Sequence, residues 1–132
     1  MRNFEQVLKL EPGRTAPLVV DMQRGFVDQV RRSKSRRRAG FERRRAGAGS
    51  PPLDGALRAR GVTSLVVTGT LTDICVLASI VGAFNREYRV TVAEDAVATL
   101  WPEIQRATLD IIGRAFGRVV SSKDIASEVT AW

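Results

Sequence analysis

The 132-residue chain has no histidine and only one cysteine, Cys75. Without imidazole, neither a Ser-His-Asp relay nor a Cys-His pair can be assembled, and the commonest nitrogen ligand of zinc or iron is missing. A single cysteine excludes an internal disulfide and fits a reducing cytoplasm. No stretch approaches the roughly 18 continuous apolar residues of a membrane span, and Met1-Arg2-Asn3-Phe4 does not open a long apolar signal region. These absences predict a cytoplasmic chain with no metal, no cofactor and no membrane partner.

What is present is enough for one folded domain. Hydrophobic residues make up 44% of the sequence, and the length suits a single core, although it is short for an α/β enzyme. The net charge of +7 is local. Residues 31 to 45 hold eight arginines and Lys34 against one acid, Glu42, while the rest of the chain is close to neutral. A run of like charge repels itself and stays solvated. Residues 29–52, rich in Arg, Ala, Gly and Ser, are therefore assigned to a loop or disordered segment within a single domain spanning 1–132.

Outside that run, short apolar segments alternate with helical spacings. Pro17-Leu18-Val19-Val20 reads as a buried parallel strand ending at Asp21, after a turn at Pro12-Gly13. Leu53, Ala56, Leu57 and Arg60 keep a helical spacing that Gly61 closes. Residues 64–68 form the next strand. Residues 75–87 form a helix apolar almost all round, which predicts burial on both sides. A strand over 88–93 is closed by Glu94-Asp95. Pro102 opens a further helix whose predicted buried stripe is Ile104, Ala107, Thr108, Ile111, Ile112 and Ala115, with Gly117 as its cap. A fourth strand covers 118–121, and Ser121 or Ser122 caps a last helix. Repeated strand–helix–strand units imply a mostly parallel sheet covered by helices, a Rossmann-like three-layer α/β/α arrangement reduced to about four strands. Sites in such sheets lie at the carboxyl ends of the strands.

Asp21 and Cys75 both fall at such ends. Cys75 follows the apolar run Leu65-Val66-Val67-Thr68-Gly69 within Thr70-Leu71-Thr72-Asp73-Ile74-Cys75-Val76. A thiol in a first helical turn has its thiolate stabilised and lies beside backbone donors for an oxyanion. Taken alone, a lone cysteine reads as a small buried hydrophobe. Thr72 and Asp73 read as caps of the cysteine helix, and Asp95 as a residue that fixes the turn after its strand. Trp101 and Trp132 read as packing or surface residues.

Three stretches together resemble the isochorismatase-like cysteine hydrolases, the family of nicotinamidases and N-carbamoylsarcosine amidohydrolases. They are Leu18-Val19-Val20-Asp21-Met22-Gln23-Arg24-Gly25-Phe26-Val27-Asp28, the segment from Leu57 through Cys75-Val76, and Tyr88-Arg89-Val90-Thr91-Val92-Ala93-Glu94-Asp95-Ala96 with Phe116-Gly117-Arg118-Val119. The resemblance implies a triad of aspartate, lysine and cysteine, with Asp21 taking the thiol proton and Cys75 attacking an amide-type carbonyl. It maps a cis peptide to Thr70-Leu71, places the oxyanion on the backbone N–H groups of Leu71 and Cys75, and has Phe26 line the substrate pocket. The implied reaction hydrolyses a small amide or related C–N bond through a covalent thioester.

Relatives carry a helix and two further strands between the aspartate and the cysteine, and a lysine after the third strand. Here residues 29–52 alone fill that interval, so the chain is internally truncated relative to the family. Lys34, 41 residues before Cys75 and followed by Phe41, has a separation compatible with that lysine; the alternatives are that it is a solvated loop lysine or, further from the pattern, that Lys123 of the last helix substitutes for it. The family's metal-binding histidines are absent, so no metal is expected. The first strand is left with an open edge, which favours a homo-oligomer. Two other readings stay open: a homologue that has lost catalysis, and a protein whose arginine run binds nucleic-acid phosphates. Scarce aromatics in that run argue against nucleic acid as a partner, leaving a small-molecule substrate.

Overall fold

The computed structural model describes residues 9–20 and 53–132. The predicted loop 29–52, with Asp21, Phe26 and Lys34, lies outside the described residues. Within them the elements run β1 (Thr15–Val20), α1 (Leu53–Ala59), β2 (Ser64–Thr70), a π-helical turn (Thr72–Val76), α2 (Leu77–Asn85), β3 (Arg89–Ala98), α3 (Pro102–Ala115), β4 (Arg118–Val120) and α4 (Ser122–Thr130). The four strands pair in sequence order, β1-β2-β3-β4, and every pairing is parallel. This is the α/β architecture the sequence pattern predicts.

Alternation along the strands separates the two faces of the sheet. Leu65 and Val67 of β2 and Val90 and Val92 of β3 are almost wholly buried. They share one core with Val20, Val76, Ile80, Ala83 and Ile112, against which Leu57 and Leu109 pack. The π-helical turn, α1, α2 and α3 thus cover the same face, as right-handed crossovers between sequential parallel strands require. Each fully buried Val, Leu or Ile among them contributes about 1.5–3 kcal/mol by leaving water. On β1 the outward-facing Val19 stays 59% exposed. α4 packs along β3 and adds no side chain to that core.

Glycines act where backbones approach. Gly69 has φ +128, and a Cβ there would lie 1.9 Å from the Val20 carbonyl oxygen. Only glycine lets β1 and β2 meet at this point. Gly61 ends α1 at φ +69, its N–H bonded to the Arg58 carbonyl at 2.9 Å. Gly117 differs from the expected cap. The cap of α3 is Phe116, and Gly117 is required because a Cβ would come 2.4 Å from the Val90 carbonyl oxygen.

Four further expectations are corrected. β3 does not close at Glu94-Asp95. Residues 94–96 loop out exposed while the pairing shifts from Val67↔Val92 to Gly69↔Val97, and the strand resumes to Ala98. The helix after Cys75 is buried on one side only, since Ala78 and Phe84 are exposed while Ile80 and Ala83 are buried. Of the predicted α3 stripe, Thr108 and Ile112 are buried, whereas Ile104, Ala107, Ile111 and Ala115 face outward. Asp95 holds another element rather than its own turn: its carboxylate accepts from the Ser122 N–H at 2.7 Å and from the Ser122 hydroxyl at 2.5 Å. Those bonds hold its pKa below the usual carboxylate value and anchor the start of α4. Ser121 caps α4, as expected, by accepting from the Asp124 N–H at 3.1 Å. Trp101 and Trp132 lie at the surface.

Candidate active site

β1 and β2 end side by side, with Val20 opposite Gly69. The described ends of the two strands therefore lie beside each other on the carboxyl edge of the sheet. Asp21 follows Val20 in the chain and lies outside the described residues, as do Phe26 and Lys34. Thr70 is the last residue of β2, and the Thr70–Leu71 peptide is cis. Leu71 is extended (φ −83, ψ 139) and forms the N-cap of the turn that carries Cys75.

That turn is wider than an α-helical one. The Val76 N–H reaches back five residues to the Leu71 carbonyl at 3.0 Å, and the Leu77 N–H bonds the Thr72 carbonyl. Such π turns recur at functional sites because they re-aim side chains within a helix. Here the alternation is sharp. Thr72 and Val76 are fully buried, Ile74 points outward, and Cys75 lies between, half-buried and packed against the core. Cys75 as a residue is neither sealed in the interior nor fully open to solvent. Its own carbonyl accepts from the Ser79 hydroxyl at 2.8 Å, tying the turn to α2.

Neither Thr72 nor Asp73 caps the helix. The N-cap makes no side-chain hydrogen bond, and the Thr72 hydroxyl is buried with no partner among the described residues. The Asp73 carboxylate instead accepts a short hydrogen bond from the Thr99 hydroxyl. Thr99 follows directly on β3, so a residue that sequence reasoning did not single out reaches the cysteine turn. Its only sequence signal is a hydroxyl at a strand end ahead of Leu100-Trp101-Pro102. No cluster of three or more His, Cys, Asp or Glu side chains suited to a metal occurs among the described residues. No helix among them is long and apolar enough to cross a membrane.

A parallel α/β sheet with a cysteine on the turn after a central strand defines a class of α/β proteins, and comparison with known families makes it specific. The Isochorismatase domain family matches residues 38–124, and the chain belongs to that family. It is 46% identical over 77 residues to the ureidoacrylate amidohydrolase RutB of Methylobacterium radiotolerans, covering 58% of this chain and 30% of that protein. Among solved structures, a cysteine hydrolase from Pseudomonas syringae pv. phaseolicola superimposes with a TM-score of 0.57 at 31% identity, over 60% of this chain and 42% of that one. The nicotinamidase SaPncA of Staphylococcus aureus gives 0.51 at 30% identity, over 52% and 43%. The chain spans about a third of the length of the curated relatives it matches.

Proposed function

We propose that the chain carries the cysteine half of a hydrolase site that cleaves a small amide or related C–N bond through a covalent thioester. The observation that carries this reading is the placement of Cys75, half-buried in a π-helical turn at the carboxyl end of β2, the strand beside β1. The names of the relatives, a ureidoacrylate amidohydrolase and a nicotinamidase, support amides as the substrate class.

In this reading the Asp21 carboxylate takes the Cys75 thiol proton as the sulfur attacks the substrate carbonyl carbon. Lys34 favours the thiolate and orients Asp21, and Phe26 lines the substrate pocket. The oxyanion forms against the backbone N–H groups of Leu71 and Cys75. The C–N bond then breaks, the amine leaves with the proton from Asp21, and a thioester remains. Water attacks the thioester as Asp21 takes one of its protons, the C–S bond breaks, and Asp21 passes that proton to the departing Cys75 sulfur. The acid is released and Cys75 is restored. In the same reading residues 29–52 stand in for the helix and strands that relatives carry, the chain works in the reducing cytoplasm, and β1, which pairs only with β2 among the described residues, supports self-association.

Mass spectrometry after brief exposure to iodoacetamide at pH 6.5 tests the proposal. Labelling of Cys75 well above the rate of a free cysteine peptide, and abolished by Asp21→Ala, is the expected result. Labelling at the free-thiol rate would show a homologue without an activated nucleophile and overturn the reading.

A further inference from the structure

The side chain that ties the cysteine turn to the next strand belongs to neither the capping scheme nor the triad. Asp73 lies in the first turn of the π-helical segment, two residues before Cys75. A carboxylate at such a position ordinarily caps backbone N–H groups of its own helix. Here the cap is Leu71 and the carboxylate is directed across to Thr99, the first residue after β3. The bond spans 26 residues of sequence and is partly buried.

We infer that the Asp73–Thr99 pair is a positioning device for the nucleophile, which rests on the hydrolase reading of Cys75. A π turn is held by few backbone bonds, and the Leu71 cap contributes none from its side chain. One end of the turn is anchored by Ser79 holding the Cys75 carbonyl, and its opening is anchored through Asp73 to the rim of the sheet. Thr99 leads into Leu100 and Trp101, which are 66% and 54% exposed. The same bond therefore also fixes where this apolar connection lies beside the turn. Stabilisation of a thiolate by helix-end donors depends on the turn keeping its geometry. Loss of the tie lets the turn relax without removing any group from the core.

The test is a double-mutant cycle read by iodoacetamide labelling of Cys75 at pH 6.5, with thermal unfolding measured on each variant. Thr99→Val and Asp73→Ala should each slow labelling roughly tenfold, since small misplacements of a reacting group have effects of this order. The double variant should be no slower than either single one, because both remove the same bond. Thr99→Ser retains the hydroxyl and should restore the wild-type rate, a rescue that a purely space-filling role of Thr99 would not give. Wild-type labelling by Thr99→Val and Asp73→Ala overturns the inference, as do effects that multiply in the double variant. Either variant alone decides the matter if the other fails to fold. If wild-type Cys75 itself reacts no faster than a free cysteine peptide, the hydrolase reading and this inference fall together. A fast wild type with unaffected variants removes the inference alone.

Discussion

Arg118 of β4 and Glu128 of α4 approach to 2.7 Å, and the arginine side chain is only 9% exposed. The pair is a close charge contact rather than an aligned fork: neither Arg118 Nε nor the Nη2 that approaches Glu128 makes an aligned hydrogen bond among the described residues. Glu128 also accepts from the Leu10 N–H at 3.4 Å, joining the first described segment to the last helix. Removing one member of a buried pair leaves the other charge uncompensated. Glu128→Ala should therefore cost about 2–4 kcal/mol in urea unfolding, less than breaking a fully buried pair because Glu128 is 27% exposed. Arg118→Met in that background should recover most of the loss. A Glu128→Ala variant as stable as wild type would show that the pair is energetically idle.

Gly69 is the point where sheet geometry and candidate site meet. A methyl group there would overlap the Val20 carbonyl, and φ +128 is itself foreign to alanine. Gly69→Ala should lose about 3 kcal/mol or more, since neither backbone can yield without breaking the β1–β2 pairing. The same change should slow Cys75 labelling, because the strand ends carrying Val20 and Thr70 must separate. A soluble variant with wild-type melting would contradict the close approach.

Asp54 and Tyr88 give a dependence on acid. The Tyr88 hydroxyl donates to the Asp54 carboxylate at 2.6 Å, and the Arg58 guanidinium lies 5.3 Å from the ring centroid and 3.1 Å from the same carboxylate. The hydrogen bond from Tyr88 is the main cause that holds the Asp54 pKa below its ordinary value of 3.8. Burial first, then the bond to Asp54, pushes the Tyr88 hydroxyl above 10.0. A depressed carboxylate stabilises the fold above its unfolded pKa and loses that contribution as pH falls through the folded value. Tyr88→Phe should therefore be less stable than wild type at pH 6, with the gap shrinking between pH 4 and lower values. For Tyr88 the sign is opposite, with stability present below pH 10 and lost as pH rises through the folded value. Chemical unfolding of both proteins at pH 6, 4 and 3 reads the first effect; a gap that stays constant would refute it.

The parts of the fold legible in the sequence are those where one physical signal dominates. Continuous apolar runs marked β1 and β2, Pro102 marked the start of α3, and the Ser121-Ser122 pair marked the cap of α4. The position of Cys75 on the turn after β2 followed from the same logic. What was hidden depends on partners distant in sequence. Glu94 and Asp95 look like the end of a strand, and only the pairing with Gly69 and Thr70 shows that β3 resumes at Val97. Helical spacing marks apolar residues without saying how much surface the neighbours cover, so Ile104 and Ile111 read as buried although they face outward. Asp73 has the composition of a cap, and its bond to Thr99 is a tertiary fact that no local pattern carries.

Two glycines in the last βαβ unit should respond to alanine with opposite signs. Gly113 lies within α3, and a Cβ there meets only a Val119 methyl at 3.7 Å, an ordinary contact. Gly113→Ala should stabilise by about 0.4–1 kcal/mol, because alanine restricts the unfolded chain and favours helix. Gly117, four residues on, has no positive φ, so backbone preference alone predicts an equally harmless change. Its Cβ would instead lie 2.4 Å from the Val90 carbonyl and 3.0 Å from the Val90 Cβ, inside the core strand. Gly117→Ala should destabilise by about 1–3 kcal/mol, as overpacking against backbone does. Thermal unfolding of the two variants side by side decides it. Equal shifts in the same direction would mean that conformational preference, not the packing of α3 and β4 onto β3, governs this end of the sheet.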